Sequence, residues 1–123
     1  MTRRVVLYIE DDPHNARLIE RVLKRLPRVE VLVAGTGRDG VRAAVDDRPD
    51  LILLDNHLPD AGGGQVLGWL RAAPQTAAIP VVMVSGDSGG LAADELLAAG
   101  AADVLTKPVD IHQLLATVGR HLT

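Results

Sequence analysis

The feature that most constrains this chain is an alternation repeated five times, in which a short apolar run ends at a polar or acidic residue and a stretch with helical periodicity follows. The central run is Leu51-Ile52-Leu53-Leu54, stopped by Asp55 and followed by Asn56-His57-Leu58-Pro59-Asp60. An apolar run of that kind, bounded by turn formers, reads as a strand buried on both faces. Asp55 stands where this strand leaves the core. Taken alone it is open to four readings: helix cap, loop acid, metal ligand or nucleophile.

The other units follow the same plan. Arg4 to Ile9 is a β-branched, apolar strand ending at Glu10-Asp11-Asp12. Asp12-Pro13 opens a helix, because aspartate suits the N-cap and proline tolerates the first helical position. Leu18, Ile19, Val22, Leu23 and Leu26 fall on one face of that helix, and Pro27 closes it. Val29 to Ala34 is a second strand. The glycines of Gly35-Thr36-Gly37-Arg38-Asp39-Gly40 read as turn residues opening a short helix through Val41, Ala44 and Val45.

Asn56 to Gly64 is a loop by composition, Gln65 to Ala73 a third helix with Trp69 at its packing margin, and Pro80 to Val84 a fourth strand running into Ser85-Gly86-Asp87-Ser88. An alanine-rich helix from about Leu91 to Ala99 has only Leu96 and Leu97 as anchors, so its burial should be modest. Ala102 to Thr106 is a fifth strand that runs into Lys107-Pro108. Asp110 and Gln113 resemble a capping pair for a last helix, with Ile111, Leu114, Leu115, Val118 and Leu122 on one side. Five strand-helix units imply an α/β fold, with a parallel sheet covered by helices on both faces.

With 123 residues, 47% hydrophobic, the chain fits one domain spanning 1–123 with enough core to fold unaided. Its formal charge of −3 argues against direct nucleic-acid binding, and the arginines of the first quarter read as a solvated helix face. The absence of cysteine excludes thiolate chemistry and fits a cytoplasmic location. No apolar run approaches the roughly 18 residues that a membrane span requires.

In open parallel sheets, ligands bind beyond the carboxyl ends of the strands, where strand order reverses. Glu10 and Asp11 follow the first strand, Asp55 the third, Ser85 the fourth and Lys107 the fifth. Each has a bland reading alone, as loop acid, cap or solvated lysine; their joint placement favours a site. Clustered carboxylates repel unless a cation shares the pocket. Mg²⁺, which binds one or two carboxylates together with phosphate oxygens, suits such a cluster, and with the lysine ammonium it balances three carboxylates. A phosphoryl group is the implied substrate, with a carboxylate as nucleophile and a hydroxyl and lysine on its oxygens.

At these residues the chain resembles the receiver domains of two-component response regulators. Val6-Leu7-Tyr8-Ile9-Glu10-Asp11-Asp12 is similar to the family's first strand and acidic pair. Leu53-Leu54-Asp55 with Leu58-Pro59-Asp60 is similar to its phosphoacceptor strand and loop. Val81-Val82-Met83-Val84-Ser85-Gly86 resembles the hydroxyl-bearing strand, and Leu105-Thr106-Lys107-Pro108 the lysine-proline motif with its cis peptide. The resemblance implies a flavodoxin-like fold with strand order 2-1-3-4-5, Asp55 as acceptor, and Mg²⁺ held by Asp11, Asp55, the His57 carbonyl and, through water, Glu10. It implies a sensor histidine kinase or histidine phosphotransfer protein as donor, with slow self-dephosphorylation.

Two departures stand out. Gly62-Gly63-Gly64 occupies a loop where relatives often carry an acid before one glycine, which predicts a looser start to the third helix. Val104 replaces the Tyr or Phe that moves on activation. His14, His112 and His121 lie at no ligand spacing and read as surface residues.

Two other functions compete. A haloacid-dehalogenase-like phosphatase combines the same groups but wants Asp-x-Asp at its nucleophile, where this chain has His57. The literal G-x-G-x-x-G at Gly35 to Gly40 suggests a dinucleotide module, but it follows the second strand rather than the first. No output domain is legible after the last helix, so the chain reads as a single-domain regulator or as a receiver from a longer protein such as a hybrid kinase.

Overall fold

A computed structural model describes residues 3–86 and 92–122. The chain runs β1 (Arg4–Ile9), α1 (Pro13–Leu23), β2 (Val29–Ala34), α2 (Gly37–Asp47), β3 (Leu51–Asp55), α3 (Gly63–Ala72), β4 (Val81–Ser85), α4 (Ala93–Ala98), β5 (Asp103–Thr106), α5 (Ile111–Leu122). The five strands form one parallel sheet in the order β2-β1-β3-β4-β5. The direction of winding therefore reverses between β1 and β3.

Alternation along each strand sends side chains to two cores. Leu7, Ile9, Ile52, Leu54, Val81 and Met83 pack with Ala44 of α2, Val66, Leu67 and Leu70 of α3 and Leu96 of α4. Val6, Tyr8, Leu51, Leu53, Val82 and Leu105 pack with Val22 and Leu23 of α1 and Leu114 and Val118 of α5. All five residues of β3 are buried, as the apolar run required. Among the described residues, no helix is long and apolar enough to cross a membrane.

Several sequence expectations shift. Helix α1 stops at Leu23, one turn before Pro27, with Lys24 as its cap, so Leu26 packs from the following turn. Leu18, Leu97 and Ile111, expected to face inward, are 55%, 45% and 39% exposed. Leu96 alone therefore anchors α4 among its leucines. The expected start of α4 at Leu91 lies outside the described residues, as do Asp87 and Ser88. Asp12 caps α1 by accepting from the His14 N–H at 2.8 Å, and Asp110 accepts from the Gln113 N–H at 2.9 Å, both as expected.

The glycines of α2 are packing residues rather than turn residues. A Cβ on Gly40 would lie 2.4 Å from Ile9 Cδ1, and one on Gly37 would lie 2.7 Å from Val66 Cγ2. Thr36 caps the helix by accepting from Asp39 N. The carboxylate of Asp60 takes the Gly37 and Arg38 N–H groups at 2.7 and 3.0 Å. An acid thus already holds the helix start where a dinucleotide pyrophosphate would have to sit. These two hydrogen bonds lower the Asp60 pKa and tie the loop after β3 to α2.

Candidate functional site

The carboxyl ends of β1 and β3 flank the point where strand order reverses, and the acids meet there. One carboxylate oxygen from each of Glu10, Asp11 and Asp55 lies within 4.8 Å of the others. Glu10 and Asp55 are buried and Asp11 is exposed. Lys107, carried to the same end by β5, places Nζ 3.1 Å from Asp55 Oδ1. The Lys107-Pro108 peptide is cis.

Ser85 ends β4 and is buried; its hydroxyl accepts from Asn56 Nδ2 at 3.2 Å and donates to the Gly86 carbonyl at 3.2 Å. The His57 side chain is exposed, its N–H donates to Asp55 Oδ1 at 3.3 Å, and a bridge to Gly62 closes the loop. The structure thus brings Glu10, Asp11, Asp55 and Lys107 into one cluster, with Ser85 and His57 at its edges. Of the other histidines, His14 and His112 are exposed, but His121 is half-buried, with Nε2 4.0 Å from Asp103 Oδ2. The surface reading of His121 is corrected: α5 packs its last turn against the start of β5.

Two site neighbours carried no functional signal in the sequence. The Tyr8 hydroxyl donates to Glu10 Oε1 at 3.2 Å. The period-2 alternation of β1 puts residues 8 and 10 on one side of the sheet, which was the available clue. Asn56 read as the first loop residue, yet it is buried and reaches Ser85.

Electrostatically the cluster is unsatisfied. The Glu10 pKa is raised to about 7, by burial first and then by its proximity to Asp55, while Lys107 pulls the other way. Burial, with the charge of Glu10 added, raises the Tyr8 hydroxyl. Glu10 Oε2 is buried with no hydrogen-bond partner among the described residues. An orphaned, buried carboxylate oxygen beside two further carboxylates offers the hard oxygen donors that suit a divalent cation.

The sign of the pH dependence follows. A carboxyl whose folded pKa lies above its ordinary value of 4.5 binds more protons folded than unfolded between that value and about 7. Stability therefore falls as pH rises through this window. Without divalent cations, the melting temperature should drop by several degrees from pH 5 to pH 8, and Glu10→Gln should flatten the drop. An equal drop in Glu10→Gln would assign it to another group.

Comparison with known proteins decides the family: the model of the response regulator receiver domain matches residues 6–119. This chain belongs to that family. It is 36% identical over 112 residues to the transcriptional regulatory protein KdpE of Mycobacterium tuberculosis, covering 91% of this chain and 48% of KdpE. It is 34% identical to protein PilH of Pseudomonas aeruginosa, covering 92% of this chain and 93% of PilH. The receiver domain thus spans about half the length of the first of these relatives and nearly all of the second.

Among solved structures, the receiver domain of sensor histidine kinase PA1611 from Pseudomonas aeruginosa, with a magnesium ion in its active-site cleft, superposes with TM-score 0.86 at 29% identity, covering 98% of each chain. The receiver domain of a signal transduction histidine kinase from Syntrophus aciditrophicus gives TM-score 0.87 at 30% identity, covering 97% of this chain and 89% of that one. The strand order and five helices are those of the flavodoxin-like receiver fold. The chain is a receiver domain of the kind found in two-component systems. The comparisons do not support the phosphatase reading.

Proposed function

We propose that Asp55 is the phosphoacceptor of this receiver domain and that its donor is a phosphohistidine on a sensor histidine kinase or a histidine phosphotransfer protein. The observation that carries the assignment is the ammonium of Lys107, 3.1 Å from the carboxylate of Asp55 and on no other acid of the cluster. A carboxylate oxygen of Asp55 attacks phosphorus, the O–P bond forms, the P–N bond breaks, and the imidazole leaves with the electron pair and takes up a proton. Lys107 follows the negative charge from the carboxylate to the transferring oxygens. The Ser85 hydroxyl donates to one of those oxygens. Attack of water on the same phosphorus later restores the free aspartate.

Glu10, Asp11, Asp55 and the main-chain carbonyl of His57 would hold Mg²⁺. Bound there, the ion supplies charge stabilisation at the phosphoryl oxygens. The orphaned Oε2 of Glu10 supports this set, as does the magnesium in the PA1611 receiver cleft. We place the domain in the cytoplasm, where phosphohistidine is made from ATP. It catalyses only its own phosphorylation and dephosphorylation. The net charge of −3 supports a receiver that does not itself touch nucleic acid, although relatives include the DNA-binding regulator RpaA of Synechocystis.

The test is incubation with acetyl phosphate or carbamoyl phosphate. Intact-mass analysis should show one added phosphoryl group that requires Mg²⁺ and maps to the peptide bearing Asp55; labelling undiminished by chelation would refute the reading. Lys107→Ala should label about a hundredfold more slowly while titrating with Mg²⁺ much as before, because the lysine acts on transferring charge rather than on the metal. A wild-type labelling rate in that variant would remove Lys107 from the reaction.

A further inference from the structure

We infer that Asn56 is a positioning residue for the Ser85 hydroxyl, fixing which way its proton points before and after the phosphoryl group arrives. The inference rests on the reading of Ser85 as a donor to that group. A carbonyl oxygen only accepts, so the 3.2 Å contact from Ser85 Oγ to the Gly86 carbonyl uses the hydroxyl's single proton. The hydroxyl must then accept from Asn56, and the amide presents Nδ2, at 3.2 Å. The chain of donors runs in one direction, from Asn56 through Ser85 to Gly86.

Redirecting the proton to a phosphoryl oxygen breaks only the contact to Gly86. The lone pair facing Asn56 keeps its donor, so the hydroxyl never has to reverse its role toward the amide. Donation from the amide also polarises the hydroxyl and strengthens the bond it gives. The main chain that carries this side-chain amide is fixed. Asn56 is 2% exposed; its N–H donates to the Val84 carbonyl at 3.0 Å and its carbonyl accepts from Gly63 N at 2.9 Å. The backbone of the residue directly after Asp55 is thus fixed from both sides.

The test is a double-mutant cycle on the affinity for beryllofluoride, a stable phosphoryl mimic, at fixed Mg²⁺. Asn56→Leu keeps the side chain's shape and removes the donor, so affinity should fall about fivefold in the wild-type background. In a Ser85→Ala background the same change should cost nothing further. Equal losses in both backgrounds would make Asn56 a purely structural residue, and an unchanged affinity in the first would also overturn the inference.

Ser85→Ala alone separates the two levels of the argument. If it leaves beryllofluoride affinity unchanged, the underlying reading of Ser85 fails; if it weakens binding and Asn56→Leu does not, only the role of Asn56 fails. Should Asn56→Leu not fold, Asn56→Asp carries the cycle. It too keeps the shape, but its carboxylate draws the Ser85 proton away from the mimic, so the loss should exceed fivefold with Ser85 present and shrink without it.

Discussion

Asp55→Ala should take up no phosphoryl group from an acyl phosphate or from a histidine kinase, at any Mg²⁺ concentration. Two other carboxylates lie within 4.8 Å, so the loss is not self-evident. Neither is placed to substitute. Among the described residues no lysine pairs with Glu10, and its Oε1 is held by the Tyr8 hydroxyl. Asp11 is exposed and has no ammonium beside it among the described residues, whereas Asp55 is buried against Lys107. Nucleophile and charge-stabilising lysine coincide only at Asp55, and removing a nucleophile that acts as part of such a unit costs at least about a thousandfold in rate. Intact mass after incubation with acetyl phosphate and Mg²⁺ measures it. A persistent label mapped to Glu10 or Asp11 would show that the cluster reacts as a whole rather than through one acid.

What the sequence made legible was the part governed by periodicity. Strands β1 and β2 begin and end where their apolar patterns do, because β-branched runs favour extended chain; β1 is largely buried, whereas β2 is a half-exposed edge strand. The cluster was legible because each of its members ends or directly follows a strand, and in a parallel sheet all such carboxyl ends share one edge. The contacts between loops were not. Asp60 sits in what reads as a solvated turn, yet it caps α2 from 22 and 23 residues away. Nothing in the sequence marks Arg71, yet its guanidinium donates to the carbonyls of Ala77, Ile79 and Gly100, joining α3 to the turn after α4. Side chains that satisfy distant main-chain groups obey no sequence period.

The same blindness applies to Gly63, a glycine packed directly against main chain. The run Gly62-Gly63-Gly64 reads as a flexible loop before α3, yet the helix begins at Gly63. Gly62 is its N-cap and offers no side-chain hydrogen bond, but the looser helix start that the glycines predict is countered at Gly63, whose N–H donates to the Asn56 carbonyl. A Cβ on Gly63 would lie 2.7 Å from Asn56 Cα, 2.7 Å from Asn56 Oδ1 and 2.8 Å from Met83 Cε. The end of a methionine can swing aside; the main chain of Asn56 cannot, since hydrogen bonds to Val84 and Gly63 hold it on both sides. Gly63→Ala should therefore destabilise the domain by roughly 1 to 3 kcal/mol, as overpacking against fixed backbone does, and lower its melting temperature by roughly 5 to 10 °C. Gly62→Ala, where nothing lies within 4 Å of the added carbon, should change little, and Gly62→Asp should gain only about 0.3 kcal/mol by capping α3, since glycine is itself a tolerable N-cap. Thermal melts of the three variants decide the matter. A wild-type midpoint in Gly63→Ala would mean that the segment after Asp55 yields easily, and the fixed main chain that carries the Asn56 amide to Ser85 would lose its support.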